Sequence, residues 1–241
     1  STLMRSSAAS DVYKRQQLTR GGGHGDYHTI VLAPSSVQEN ADLAYISFDL
    51  AEKYRHPVLV ASDAAIGQMV EPVELPAMKE HDINQYDWVI RPRRKGEKQR
   101  IVWNRYWDIG AEEYVDYLCS KYAEMEKHEQ RWESVMTDDA EIVLVAYGIS
   151  SRVAKAAVYQ GREEGLRLGL IRPITLWPFP KKAFEALGPQ VKAFLDIEMS
   201  ILGQMKDDVI LACGNSRPVE YYGEFSNVPE EKKILSKVRD M

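Results

Sequence analysis

At 241 residues the chain is long enough for one large or two modest domains, and its 44% hydrophobic and 28% charged residues are the balance of an ordinary globular protein. A net charge of -5 excludes a general nucleic-acid surface, and the apolar runs, such as 142–146, are far too short to span a bilayer. Cys119 and Cys213 lie far apart without a CxxC or Cys/His companion, which excludes a self-contained iron–sulfur or zinc site of the usual spacing and fits a reducing, cytoplasmic compartment.

Residues 1–16 show neither helical nor strand periodicity, and the run LMRSSAASDVYKRQ resembles translated adapter sequence. They are expected to be non-native and to contribute nothing to folding. From His28 to Ala33 a short apolar run predicts a buried strand, stopped by Pro34. Ser36-Val37-Gln38-Glu39 reads as a capping box. Val37, Ala41, Ala44, Phe48 and Ala51 then mark one face of a helix ending at His56-Pro57. Val58 to Ala61 predicts a second strand, so residues 17–72 read as a βαβ crossover.

The segment from Glu71 to Arg100 is rich in proline and charge and predicts a linker, its basic run from Arg91 to Arg100 solvated. A long helix is expected from Glu112 to Met136, with Val115, Leu118, Tyr122, Met125, Trp132 and Met136 on one side. Linker and helix together cover 73–138.

Residues 139–241 alternate strands with helices. Strands are expected at 141–147, 168–172, 193–197 and 219–222, and helices at 150–164, from Pro180, at 203–211 and at 229–238. The spacing implies a mainly parallel sheet covered on both faces, hence an α/β fold.

The least ordinary segment is Gly21-Gly22-Gly23-His24-Gly25-Asp26-Tyr27. It reads either as a flexible turn or as a loop whose glycines allow positive φ and close approach, with His24 and Asp26 held for proton exchange. Ser62-Asp63 sits where ligands collect in open α/β sheets, though Asp63 also suits a helix cap. Gly148 to Arg152 offers a helix amino terminus to an anion. Arg172 to Pro180 carries three prolines and reads as a stiff surface loop presenting Trp177, with a packing role.

Four of these segments, in this order, resemble the alpha subunit of 2-oxoacid:ferredoxin oxidoreductases: GGGHGDYHTIVLAPSSVQE, KYRHPVLVASDAAIGQMVEPVELP, EEGLRLGLIRPITLWPFP and GQMKDDV. The resemblance runs from Thr19 to Tyr222, and the GQMVEPVELP variant is most similar to branched-chain, 2-oxoisovalerate members. It implies the carboxyl-terminal part of a pyrimidine-type thiamine-diphosphate domain, followed by a transketolase carboxyl-terminal-like domain. The implied activity is oxidative decarboxylation of a 2-oxoacid to an acyl-CoA with reduction of ferredoxin. Thiamine diphosphate and magnesium are implied mainly on a beta subunit and iron–sulfur clusters on a partner, with coenzyme A as cosubstrate. The implied partners are the beta subunit, gamma and ferredoxin-like subunits, and ferredoxin.

The family's Tyr-Pro-Ile-Thr-Pro motif and the acidic residue that activates the aminopyrimidine have no counterpart here. The chain is therefore expected to be a truncated piece, inactive alone, whose first sheet lacks strand neighbours. His24 and Asp26 are the only catalytic candidates the resemblance leaves, at the active-site mouth or a subunit interface. Two rival readings stay open: a non-catalytic α/β interaction module, and a subunit of an NAD-linked 2-oxoacid dehydrogenase complex.

Overall fold

The computed structural model describes residues 15–23, 25–80, 106–224 and 227–241, with a few isolated positions between 82 and 96. Its first strand, β1 (Ile30–Leu32), is fully buried; a helix α1 (Val37–Tyr54) follows, then β2 (Val58–Val60) and a short helix α2 (Ala64–Gln68). After α3 (Tyr106–Ile109) and α4 (Ala111–His128) come β3 (Trp132–Val135), β4 (Ile142–Ala146) and α5 (Gly148–Glu163). The rest is β5 (Leu168–Pro173), β6 (Thr175–Trp177), α6 (Lys181–Glu185), β7 (Ala193–Glu198), α7 (Lys206–Ala212), β8 (Val219–Gly223) and α8 (Glu231–Arg239).

The strands form two sheets. The larger has the order β3-β5-β4-β7-β8, parallel except for β3, which runs antiparallel along β5. One of its faces packs Phe179, Phe184, Phe194 and Val209, and the other packs Leu144, Leu168, Leu195, Ile234 and Leu235. Both faces are covered, as the continuous apolar runs require. The smaller sheet has the order β2-β1-β6, with β1 parallel to β2 and antiparallel to β6.

That third strand corrects two expectations. The first sheet does have a second neighbour, and the neighbour is Thr175–Trp177, inside the segment expected to be a surface loop. Trp177 is 7% exposed and stacks on His28, with ring centroids 4.7 Å apart. Two prolines flank β6 at a distance of two residues or fewer; the Thr175 amide donates to Arg131 O, yet the strand still pairs with β1 at Val31 and Leu32.

The helix from Ser36 forms as predicted, with Ser36 Oγ accepting from Glu39 N at 3.1 Å. The glutamate reaches back one residue further than a capping box does, accepting from Ser35 N at 2.7 Å. The buried side of α1 is not the one expected. Leu43 and Leu50 are buried, whereas Phe48 is 68% exposed. The larger side chains at 43, 46 and 50 set the face, because they bury more area than Ala41 and Ala44.

The long helix also stops early, at His128. Glu129, 2% exposed, leaves the helical path and accepts from Lys53 Nζ (2.6 Å) and Tyr54 Oη (2.7 Å) on α1. Trp132 to Val135 then join the large sheet, so a buried acid ended what the apolar spacing continued. The described part of the expected linker, 71–80, runs along α1: Gln38 and Glu74 exchange hydrogen bonds of 2.9 and 2.8 Å, and Lys79 pairs with Asp49. Most of the basic run falls outside the described residues.

The expectation that residues 1–16 take no part in the fold fails at its end. Residues 15–19 are helical, Arg15 is 3% exposed and pairs with Asp208, and Gln16 N donates to Gln204 at 3.2 Å. Residues 1–14 lie outside the described residues.

Candidate functional site

The carboxyl ends of β2, β4 and β7 meet at one crevice, where a cavity of about 320 Å³ opens. Leu18, Leu59, Leu176 and Ile149 supply apolar wall, while Asp63, Tyr147, Ser150, Glu198 and Ser200 supply polar groups. Ligands collect at the carboxyl ends of strands in open α/β sheets, and here two sheets contribute them.

Asp63 fixes the relation between the two. One carboxylate oxygen accepts from Ile66 N at 2.9 Å and caps α2; the other accepts from Ile149 N at 2.7 Å and caps α5. The cap reading of Asp63 is right, and the same side chain also ties the units together. Gly148 makes this possible. Its φ is +59°, and a Cβ there would sit 2.5 Å from Asp63 Oδ2. Tyr147 holds the cap position of α5, and Ser151 Oγ donates to Gly148 O at 2.6 Å from within the first turn.

At the end of β7 two acids stand close together in the interior. Asp196 is fully buried, and neither carboxylate oxygen has a hydrogen-bond partner by distance and angle. Burial, and then the neighbouring Glu198, push its carboxyl well above the usual range, against the opposing pull of Arg15 and Lys206. The Asp196 carboxyl therefore holds its proton more tightly than an ordinary aspartate. Glu198, 2% exposed, accepts from Met205 N at 2.6 Å and so closes the loop after β7. Ser200 Oγ is buried without a partner, although its carbonyl accepts from Tyr221 Oη.

A second polar cluster lies at the junction of α1 with the large sheet. Arg172, 7% exposed on β5, donates to Glu39 at 2.6 and 2.9 Å, to Glu133 at 2.9 Å and to Ser35 Oγ at 2.9 Å. Burial alone would raise the Glu39 carboxyl, but Arg172 and Ser35 hold it below its ordinary range.

The glycine loop is built for close approach. Gly21, Gly22 and Gly25 all have positive φ, and a side chain at Gly22 would collide with the Tyr27 hydroxyl. Asp26 is exposed and does not line the cavity; His24 lies outside the described residues. The expected anion at the amino terminus of α5 has no place, because the Asp63 carboxylate already occupies it. Among the described residues no group of three or more His, Cys, Asp or Glu could hold a metal ion, and no helix is long and apolar enough to cross a membrane.

Sequence reasoning missed Arg172, Asp196 and Glu198. Each had a signal: a charge inside an otherwise apolar strand run, LGLIRP or AFLDIE.

A two-sheet α/β protein with a crevice at the strand ends is the class that this architecture defines. The pyruvate flavodoxin/ferredoxin oxidoreductase thiamine-diphosphate-binding family matches residues 4–137, and pyruvate:ferredoxin oxidoreductase core domain II matches residues 140–228. The chain belongs to the pyruvate flavodoxin/ferredoxin oxidoreductase family. It is 45% identical over 227 residues to the ketoisovalerate oxidoreductase subunit VorB of Methanothermobacter marburgensis, covering 93% of this chain and 64% of that protein. It is 32% identical over 258 residues to the 2-oxoglutarate synthase subunit KorA of the same organism, covering 92% of this chain and 66% of that one. The chain thus spans somewhat under two thirds of these relatives. In fold it is similar to the 2-oxoglutarate:ferredoxin oxidoreductase from Magnetococcus marinus, with a TM-score of 0.73 and 21% identity over 93% of this chain and 44% of that one.

Proposed function

We propose that the chain is part of the thiamine-diphosphate-fold subunit of a cytoplasmic 2-oxoacid:ferredoxin oxidoreductase, acting on a branched-chain 2-oxoacid such as 3-methyl-2-oxobutanoate. The observation that supports this most is that both halves match parts of that family in order, with 45% identity to a ketoisovalerate oxidoreductase subunit. The product is the acyl-CoA, and the electrons pass to ferredoxin. Nothing in the crevice favours the interaction-module or NAD-linked readings.

The described residues do not fit the diphosphate of the cofactor. The α5 amino terminus is closed by Asp63, the cavity wall adds Glu198, and the one lining cation, Arg15, is already held by Asp208. An anion there meets more negative than positive charge. This misfit supports placing the diphosphate and its magnesium on a beta subunit, and with them, as part of the same proposal, the iron–sulfur clusters on further subunits. Titration calorimetry of the isolated chain with thiamine diphosphate and magnesium is expected to show no binding; micromolar affinity would sink this assignment.

His24 and Asp26 are proposed to act at the entrance of the assembled site, contacting substrate, cofactor or the beta subunit. The support is the backbone of their loop, which its positive-φ glycines hold in a shape closed to other residues. In the assembled enzyme, His24→Ala or Asp26→Ala is expected to lower oxoacid-dependent ferredoxin reduction about tenfold, roughly 1.4 kcal/mol of transition-state stabilisation. Full activity in both variants would reduce the loop to a turn.

A further inference from the structure

Arg15 is held as a ligand is held. Its guanidinium donates to the Gln204 carbonyl at 2.7 Å, pairs with the Asp208 carboxylate and lies 6.0 Å from the centroid of the Tyr147 ring. Carbonyl, carboxylate and aromatic face are the three surfaces that a planar, delocalised cation matches best. Every one of these groups lies after residue 146, and Arg20 shares the Asp208 carboxylate through its other oxygen.

The cleft also offers more than Arg15 uses. The Ser200 hydroxyl is buried at the cavity wall without a partner, and Nε of Arg15 itself is a buried donor left over. Ser200 and Glu198 both line the 320 Å³ cavity that continues from the guanidinium between Leu18, Leu59 and Leu176. Burial works against the charge of Arg15, yet Asp208, Tyr147 and Glu198 together outweigh it and hold the guanidinium more firmly protonated than usual.

We propose that this cleft is a binding site for a guanidinium group carried on a short apolar body, and that Arg15 fills it from within this chain. An anion is disfavoured because Asp63 and Glu198 line the cavity against the single lining cation, Arg15. A divalent metal has no set of three ligands among the described residues. A small ammonium ion is more strongly hydrated than a guanidinium and lacks the flat face that Tyr147 meets. The cavity walls take the body of the ligand, and Ser200 and Glu198 take the remaining N–H donors. The inference does not rest on the proposed oxidoreductase activity, and its test does not measure that activity.

The test removes the internal occupant. The full chain carrying Arg15→Ala is heated with millimolar methylguanidinium, butylguanidinium, tetramethylammonium or potassium chloride. The guanidinium salts are expected to raise the melting temperature of the variant by about 3 °C at tenfold excess over the dissociation constant. Butylguanidinium should act at the lower concentration, and the unsubstituted chain should not respond. An equal response from the unsubstituted chain, or from the Arg15→Ala/Asp208→Asn double variant, would overturn the proposal, as would no response at all. If Arg15→Ala does not fold, refolding it with butylguanidinium decides instead. Recovery of folded chain supports the site, and failure of recovery counts against it.

Discussion

The two sheets are held by different physics. The five-stranded sheet is covered on both faces by side chains with essentially no exposure, Phe194, Leu144, Leu195 and Ile234 among them. The three-stranded sheet has strands of only three residues, one of them taken from the second half of the chain. Its own core gathers around Leu32, Leu43, Leu50 and Met125. What attaches it to the larger unit includes three polar ties: Asp63 to α5, Glu129 to α1 and Arg172 to Glu39. A large sheet can rely on area, whereas a small one must also be anchored at points. Point anchors fail one at a time, and that makes them easy to test.

Removing Arg172 should separate the two units most sharply. Arg172→Ala leaves the half-buried Glu39 without its cation, while Glu133 keeps Lys155, at a cost of about 3 kcal/mol. Hydrogen exchange should then show lost protection at 30–32 and 58–60 while 142–146 keeps its own. Equal loss in both would mean that the units unfold as one.

A smaller effect is expected from Gly148→Ala. Positive φ and the approach of Asp63 make the added methyl cost about 1–3 kcal/mol, read as a lowered denaturation midpoint. An unchanged midpoint would show that Asp63 is free to move away.

The effect that changes most with pH, and the most diagnostic, belongs to Asp196. Its folded carboxyl titrates above the unfolded one, so its favourable contribution is complete below the unfolded pKa and is lost as pH rises through the folded pKa. Arg15 and Lys206 oppose this shift, while Glu198 reinforces it. Asp196→Asn cannot ionise. Relative to the parent it should gain stability with pH, at no more than about 1.4 kcal/mol per pH unit across that window. Parallel pH profiles for parent and variant would contradict a raised Asp196 carboxyl.

The alternating elements after residue 139 were legible because a strand buried on both faces leaves an unbroken apolar run, as in Ile142 to Ala146. The face of α1 and the end of α4 were not. Each turned on a long-range choice, Leu43 over Ala44 or Glu129 over its helical path, that local spacing does not contain. Trp177 was misplaced for the same reason, since prolines near a strand look like a loop until its partner is known. Asp63 was half legible: its cap to Ile66 is local, whereas its bond to Ile149 joins residues 86 apart in sequence.

The position of β6 has a consequence for synthesis. A polypeptide leaving the ribosome exposes β1 and β2 before the strand that completes their sheet, Thr175–Trp177. Domains generally fold as units in order of emergence. Here the earlier unit must wait, with one edge of β1 unpaired, until everything between β2 and β6 has been translated. During that interval the nascent chain carries an open strand edge, the kind of surface that chaperones recognise and that other strands can join.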